Sequence, residues 1–427
     1  MCYAALGTLL LPLALLVVLV GGIFKRDWWL ALPARFGFPR RVDGERSVVV
    51  WCASVGEVNT AQRLIRELLR AYPVVIVTIT PSGLRRAREL FGDTATATLA
   101  PLDIMFCALR WFKRMRPRLV VLFETELWPL TLRIARDHGA RLALVNGRVS
   151  DRSFPRYRRL RFFVAPLLAQ FDLVAAQTDS FVERFISLGA PADRTLSLGS
   201  LKFDIVPPAG PDPTIEAFYR AFCGSRRVLV GGSTHPGEEK SLAQALIRLR
   251  QDFPDVALMV APRHIRQADE AERDLRAAGL EIARRSAKPA DLSRADVLLI
   301  DTLGELTWVY GLAHAAFVGG SFTEAGGHNV LEPAAWGVPV IVGPRTPNFR
   351  SEVEALRDAG ALRVCQDENE LAEVLRDLWS DDERRHRMGL AAAATVQRHQ
   401  GATERTVEAI RRLMEAEEDA SEDANPS

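Results

Sequence analysis

The chain reads as an α/β protein of two Rossmann-like lobes facing a central cleft, preceded by an N-terminal membrane-anchoring helix. Three observations predict this. Short β-branched runs alternate with helical patterns of ten or more residues, a Pro-rich segment divides the alternation into two sets, and residues 1–24 carry no charge. The length of 427 residues, 48% of them apolar, suits about two to three domains with full cores.

Tyr3–Phe24 is dominated by Leu, Val, Ala and Gly. As a helix it would rise roughly 33 Å, close to the ~30 Å of a hydrocarbon core. A basic flank follows (Lys25, Arg26, Arg35, Arg40, Arg41, Arg46), and Trp28 and Trp29 stand where interfacial aromatics belong. This predicts a single anchor over 1–24 with the remainder on the cytoplasmic face. A cleaved signal peptide fits less well, because no basic residue precedes the apolar run.

The first lobe, 25–205, has strand candidates at Ser47–Trp51, Val74–Thr80, Leu119–Phe123, Arg141–Val145 and Leu173–Ala176. A linker is predicted over 206–223, since Val206-Pro-Pro-Ala-Gly-Pro-Asp-Pro213 disfavours both helix and central strand. The second lobe, 224–412, has candidates at Arg227–Gly231, Ala257–Ala261, Val297–Ile300, Ala316–Gly319 and Val338–Val342. The segment 413–427 holds six acids and no base and reads as a disordered tail.

A formal net charge of +2 argues against a nucleic-acid partner. Five widely spaced cysteines form no disulfide framework or zinc motif and suit a reducing compartment. With only 5 lysines against 50 arginines, a lysine inside a motif is informative.

Ser54-Val-Gly56-Glu57 follows the first strand and reads both as a capping box and as a carboxylate at a strand end. Glu124-Thr-Glu126-Leu-Trp128-Pro129 places two carboxylates beyond a buried strand, where they need partners, a cation or a hydrogen-bonding loop. Seven arginines lie between Arg141 and Arg161, Arg148 and Arg152 among them, opposed by Asp151 alone; they suit an anionic lipid partner or a solvated face. Lys202, in Gly199-Ser-Leu-Lys202-Phe-Asp204, suits a phosphate or a developing negative charge.

In the second lobe, Ser233, Thr234 and His235 follow a strand and open a helix, a geometry that seats anions on backbone N–H groups. Pro262, Arg263 and His264 end another strand. Leu303, Gly304 and Glu305, then Gly327, His328, Asn329, Val330, Leu331 and Glu332, follow two more. Neither a P-loop nor G-x-G-x-x-G occurs, which disfavours ATPase and dinucleotide chemistry.

Taken together and in this order, the motifs resemble the Kdo transferase family of lipopolysaccharide biosynthesis. The family comprises GT-B glycosyltransferases that move 3-deoxy-D-manno-octulosonic acid (Kdo) from CMP-Kdo to the lipid A precursor. The resemblance implies Glu57 as general base, with Glu124 or Glu126 and Lys202 stabilising the transition state. It also implies a CMP site at Pro262, Arg263, Leu303, Gly304, Glu305 and Asn329 to Glu332. Leu130, Ile265, Leu303, Val330 and Arg345 depart from the family's usual residues, and none of these changes removes an acid or base. The resemblance further implies an inverting reaction at the bacterial inner membrane, with CMP-Kdo and the lipid A precursor as partners and no cofactor; no D-x-D occurs, so the chemistry is expected to need no metal. Two alternatives stay open: a UDP-sugar transferase or epimerase of the same architecture, and a catalytically silent lipid-binding protein.

Overall fold

The computed structural model describes residues 32–39, 47–289 and 291–423. The predicted anchor over 1–24 lies outside them. No helix among the described residues is long and apolar enough to cross a membrane.

The chain forms two units, 1–204 with 401–427, and 205–400. The first is built on seven parallel strands: β1 (Val48–Cys52), β2 (Val74–Thr78), β3 (Thr96–Leu99), β4 (Leu119–Phe123), β5 (Arg141–Gly147), β6 (Leu173–Ala176) and β7 (Thr195–Ser197). Their order is β3-β2-β1-β4-β5-β6-β7, the doubly wound pattern in which the chain reverses direction at the middle of the sheet. β1, β2 and β4 are buried at every residue because helices cover both faces. Side chains alternate between two cores. Val49, Trp51, Val75, Val77, Val120 and Leu122 enter one; Val48, Val50, Val74, Ile76, Leu119 and Val121 enter the other.

The helix Val55–Leu69 covers the second of these faces through Val58, Ala61, Leu64, Ile65 and Leu68. A helix from the far end of the chain, Ala402–Asp423, joins it with Val407, Ile410 and Met414. This corrects two expectations. Residues 401–412 belong with the first unit, and 413–423 are helical where a disordered tail was expected. The acids that suggested a tail share a helix with apolar residues at 407, 410 and 414, a helical repeat that buries one face.

The second unit has β8 (Arg227–Thr234), β9 (Val256–Pro262), β10 (Ile282–Arg284), β11 (Val297–Leu299), β12 (Ala315–Val318), β13 (Val340–Val342) and β14 (Leu362–Val364). They are parallel in the order β10-β11-β9-β8-β12-β13-β14. Within the predicted linker, residues 206–212 have no regular structure, but Pro213–Cys223 is a helix of this unit with Tyr219 and Phe222 in its core. Pro213 stands in the first turn, where a missing N–H costs nothing, and Asp212 caps the helix from Thr214 N–H at 2.9 Å.

Candidate functional site

In the first unit the candidate residues gather where β1, β4 and β5 end. Ser54 is the N-cap of Val55–Leu69, its hydroxyl accepting the Glu57 N–H at 3.4 Å. Glu57 turns back over the cap: Oε2 accepts from the Ala53 N–H at 2.7 Å and Oε1 from the Ser54 hydroxyl at 3.0 Å. The motif is thus a variant of the capping box, with the glutamate reaching back to the Ala53 N–H and the Ser54 hydroxyl, and the carboxylate is also chemically unusual. Burial pushes its pKa up to about 7; the Ala53 and Ser54 hydrogen bonds pull down, while the charges of Glu124 and Glu126 push up. Gly56 is exposed in the first turn of the same helix.

Glu124 leaves β4 with φ at +58°, a conformation that costs a non-glycine residue energy and recurs at working sites. Its carboxylate accepts from Arg148 Nε at 3.0 Å, and the Thr125 hydroxyl donates to the Arg148 carbonyl. Glu126 is held by Trp128 Nε1 at 2.8 Å, and burial, opposed by that bond and aided by Glu124, raises its pKa. Asp103 supports this turn by accepting from the N–H groups of Leu130 at 3.3 Å and Thr131 at 2.7 Å at the start of the helix Pro129–Asp137. Lys202 lies in the single turn Leu201–Phe203, whose first N–H donates to Asn146 Oδ1 at 3.1 Å near the end of β5. The motifs did not point to the supporting roles of Asp103, in a loop, and Asn146, at the end of β5; a single polar residue carries no periodic signal.

The arginine run divides by environment. Arg141 belongs to β5 and Arg148 is paired with Glu124, whereas Arg152, Arg156, Arg158, Arg159 and Arg161 are exposed around two short helices, Phe154–Arg159 and Arg161–Leu168. Leu160, Phe162 and Phe163 are exposed among them, Phe162 by 79%.

In the second unit the candidates stand at the C-terminal ends of β8, β9, β11 and β12, where ligands of open parallel sheets bind. Ser233 has φ at +54°, and buried Thr234 donates to Glu239 at 2.6 Å. Arg263, exposed at the end of β9, donates its N–H to the Thr234 carbonyl at 2.8 Å. His235 and His328 touch, Nε2 to Nε2, at 2.8 Å, and His264 lies edge-on to His235 with ring centres 6.3 Å apart.

The two acids of the predicted nucleotide motif differ from a simple open pair. Glu305 is occupied by the scaffold: Tyr219 donates at 2.7 Å, buried Arg285 at 3.0 Å, and Thr302 also donates. What Leu303 and Gly304 expose beside it is a turn, Gly304 having φ at +82°. Glu332, at the start of the helix Leu331–Ala335, accepts from Thr307 and from Asn329 Nδ2, both at 3.1 Å, and burial raises its pKa. Asn329 Oδ1 in turn accepts from the Leu331 N–H at 3.1 Å; Val330 is buried in the core and Gly327 has φ at +79°.

Two family descriptions match the chain: "3-Deoxy-D-manno-octulosonic-acid transferase (kdotransferase)" over residues 31–205 and "Glycosyl transferases group 1" over residues 297–395. A 3-deoxy-D-manno-octulosonic acid transferase of Bordetella pertussis is 37% identical over 399 residues, covering 90% of this chain and 92% of that protein. The enzyme of the same description from Haemophilus influenzae is 29% identical over 97% of this chain and 98% of its own length. Among solved structures, UDP-GlcNAc 2-epimerase from Neisseria meningitidis bound to UDP-GlcNAc matches with a TM-score of 0.59 over 86% of this chain and 99% of that one. Its 13% identity speaks for a shared fold alone. With both sheets, the ordered motifs and near full-length relatives in agreement, the chain belongs to the 3-deoxy-D-manno-octulosonic acid transferase family.

Proposed function

We propose that Glu57 is the general base of Kdo transfer, that the first unit receives the lipid acceptor and that the second holds CMP-Kdo. Family membership makes the chain a glycosyltransferase of lipopolysaccharide core biosynthesis that uses CMP-Kdo. The observation that carries the finer reading is the Glu57 carboxyl, whose pKa lies at about 7 among Glu124 and Glu126. A base works best when its pKa is near the operating pH, and an ordinary exposed glutamate would be far weaker.

In the GT-B scheme that the family implies, the acceptor hydroxyl gives its proton to Glu57 as its oxygen attacks the anomeric carbon from the side opposite the phosphate, inverting it. The bond from that carbon to the phosphate oxygen breaks and its electron pair leaves with CMP. Positive charge developing on the sugar is met by Glu124 or Glu126. Lys202, Arg263 and the N–H groups of the loops beyond β8 and β12 suit the negative charge on the departing phosphate. The Asn329–Glu332 turn suits ribose hydroxyls, and the turn at Leu303–Gly304 offers backbone to the base. The exposed arginines and phenylalanines of 152–163 support docking at an anionic lipid surface, in keeping with a reaction at the cytoplasmic face of the inner membrane.

The test is turnover of Glu57→Ala with CMP-Kdo and a lipid A precursor, with circular dichroism to confirm folding. A general base contributes about 10²–10⁴-fold, so kcat should fall by that order. A loss below about tenfold in a folded variant would remove Glu57 from this role.

A further inference from the structure

His235 and His328 form more than a contact. Their Nε2 atoms are 2.8 Å apart, their planes are within 5° of parallel, and their ring centres are 5.1 Å apart. A ring nitrogen lies roughly 1.15 Å from its ring centre, so the centres reach that separation only when both nitrogens lie on the line between them. The rings are therefore coplanar and end to end, and the contact is a linear N–H···N hydrogen bond. One imidazole donates its Nε2–H and the other, accepting, carries its proton on Nδ1. The neutral pair thus presents one outward N–H and one outward lone pair.

The loops are shaped around this bridge. Gly320 has φ at +71°, and a Cβ there would lie 3.0 Å from His328 Cδ2 and 3.1 Å from the bridging Nε2. Arg263 and His264 face the pair from the end of β9. Burial first, then Arg263, His235 and His264, push the His328 pKa down to about 4. The carboxylates nearest it are hydrogen-bonded to other groups. Glu238 spends its oxygens on the N–H groups of His235 (2.9 Å), Gly320 (2.7 Å), Ser321 (3.0 Å) and Phe322 (2.9 Å). Glu324 is paired with Arg345 at 2.8 Å, and Glu332 accepts from Thr307 and Asn329. His328 is kept neutral by burial first and by the neighbouring Arg263 guanidinium second.

We propose that the His235–His328 bridge is a proton-coupled phosphate seat: neutral when empty, it takes up one proton on its outward Nδ1 when a phosphate-bearing nucleotide binds beside Arg263. The proposal rests on the assignment of the nucleotide to the second unit. A bound phosphate offsets the field of Arg263, and the proton affinity of the pair rises. The loaded pair is an imidazolium sharing one proton with its neighbour, with both outward nitrogens donating. During transfer the acceptor's proton goes to Glu57, the electron pair of the broken bond stays on the phosphate, and the charge gained by CMP meets this cation. The proton returns to water as CMP departs, so these histidines position the leaving group and are not consumed.

The experiment is CMP titration of the full chain by calorimetry between pH 6.5 and 8, in buffers of different ionisation heat. A phosphate monoester with a second pKa near 6 is mostly dianionic over this range, so CMP itself supplies little of the effect. A group that gains proton affinity in the complex makes binding tighter as pH falls, here roughly five- to tenfold from pH 8 to 6.5, with proton uptake. His328→Asn and His235→Asn should still bind CMP, more weakly, with both the uptake and the pH dependence lost. Unchanged pH dependence in the folded variants, or none in the parent protein, would overturn the proposal while leaving the nucleotide site intact. Absence of CMP binding would overturn the nucleotide assignment as well. Imidazole ¹⁵N spectra of the unaltered protein give a readout without substitution. They should show one proton coupled to two Nε2 nitrogens and, with CMP, a second Nδ1–H; two uncoupled rings would contradict the bridge.

Discussion

At Glu57 opposing influences meet on one carboxyl. Its place in the first turn of a helix, and two hydrogen bonds, favour the anion; burial and two neighbouring carboxylates favour the acid and prevail. The sequence poses the conflict, because a cap glutamate should be a poor base, but it cannot give the outcome, which depends on residues 67 and 69 positions further along the chain. The expected consequence is an acid limb in kcat/KM, with activity rising as pH increases through about 7 and levelling above it. Arg148 neutralises part of the Glu124 charge, so Arg148→Ala should move that limb upward, by roughly half a pH unit, in a pH–rate profile. Stability carries the opposite sign. A carboxyl whose folded pKa is raised stabilises the fold fully below its unfolded pKa and loses that contribution as pH rises through about 7. Glu57→Gln should therefore be inactive yet melt a few degrees above the parent at pH 8, an advantage that disappears at pH 4.

Among the elements, the interior strands are the legible ones. β4 and β6 coincide with the predicted Leu119–Phe123 and Leu173–Ala176, and the other predicted strands shift by a few residues at their ends. The four strands without a sequence signal, β3, β7, β10 and β14, are the outermost pairs of their sheets. Each has three or four residues and a partly exposed pattern, so the continuous apolar run that betrays a strand covered on both faces is missing. The loops that carry the candidate residues were legible for a related reason: they begin where such runs stop. Supporting residues such as Asp103 were not. Asp103→Ala should free two N–H groups at the start of Pro129–Asp137, cost about 1–2 kcal/mol in denaturant unfolding, and loosen the Trp128–Glu126 contact enough to reduce kcat.

For the whole molecule, two separate sheets with separate cores predict two unfolding events that can be addressed independently. CMP should raise the melting temperature of the event belonging to 205–400, and UDP should raise it far less, since a ligand stabilises what it binds in its native state. Ile410→Ala should destabilise the other event by about 2–4 kcal/mol, because that side chain is fully buried in the first unit although it stands near the end of the chain.

The crossing at 204/205 is matched by a second at 400/401, and the two are stitched side by side. Asp204 accepts from the Gly401 N–H at 2.6 Å and from the Thr403 N–H, while Gln400 Nε2 donates to the Ile205 carbonyl at 2.8 Å. Topologically, 205–400 is a guest whose two ends meet inside an interrupted host. During synthesis the guest is complete on the ribosome before the host has received the helix Ala402–Asp423, so the second unit can mature while the first still waits. The same adjacency makes the guest portable: cut out whole it should keep its own core, and a host resealed across the gap by a few residues should regain its closing helix.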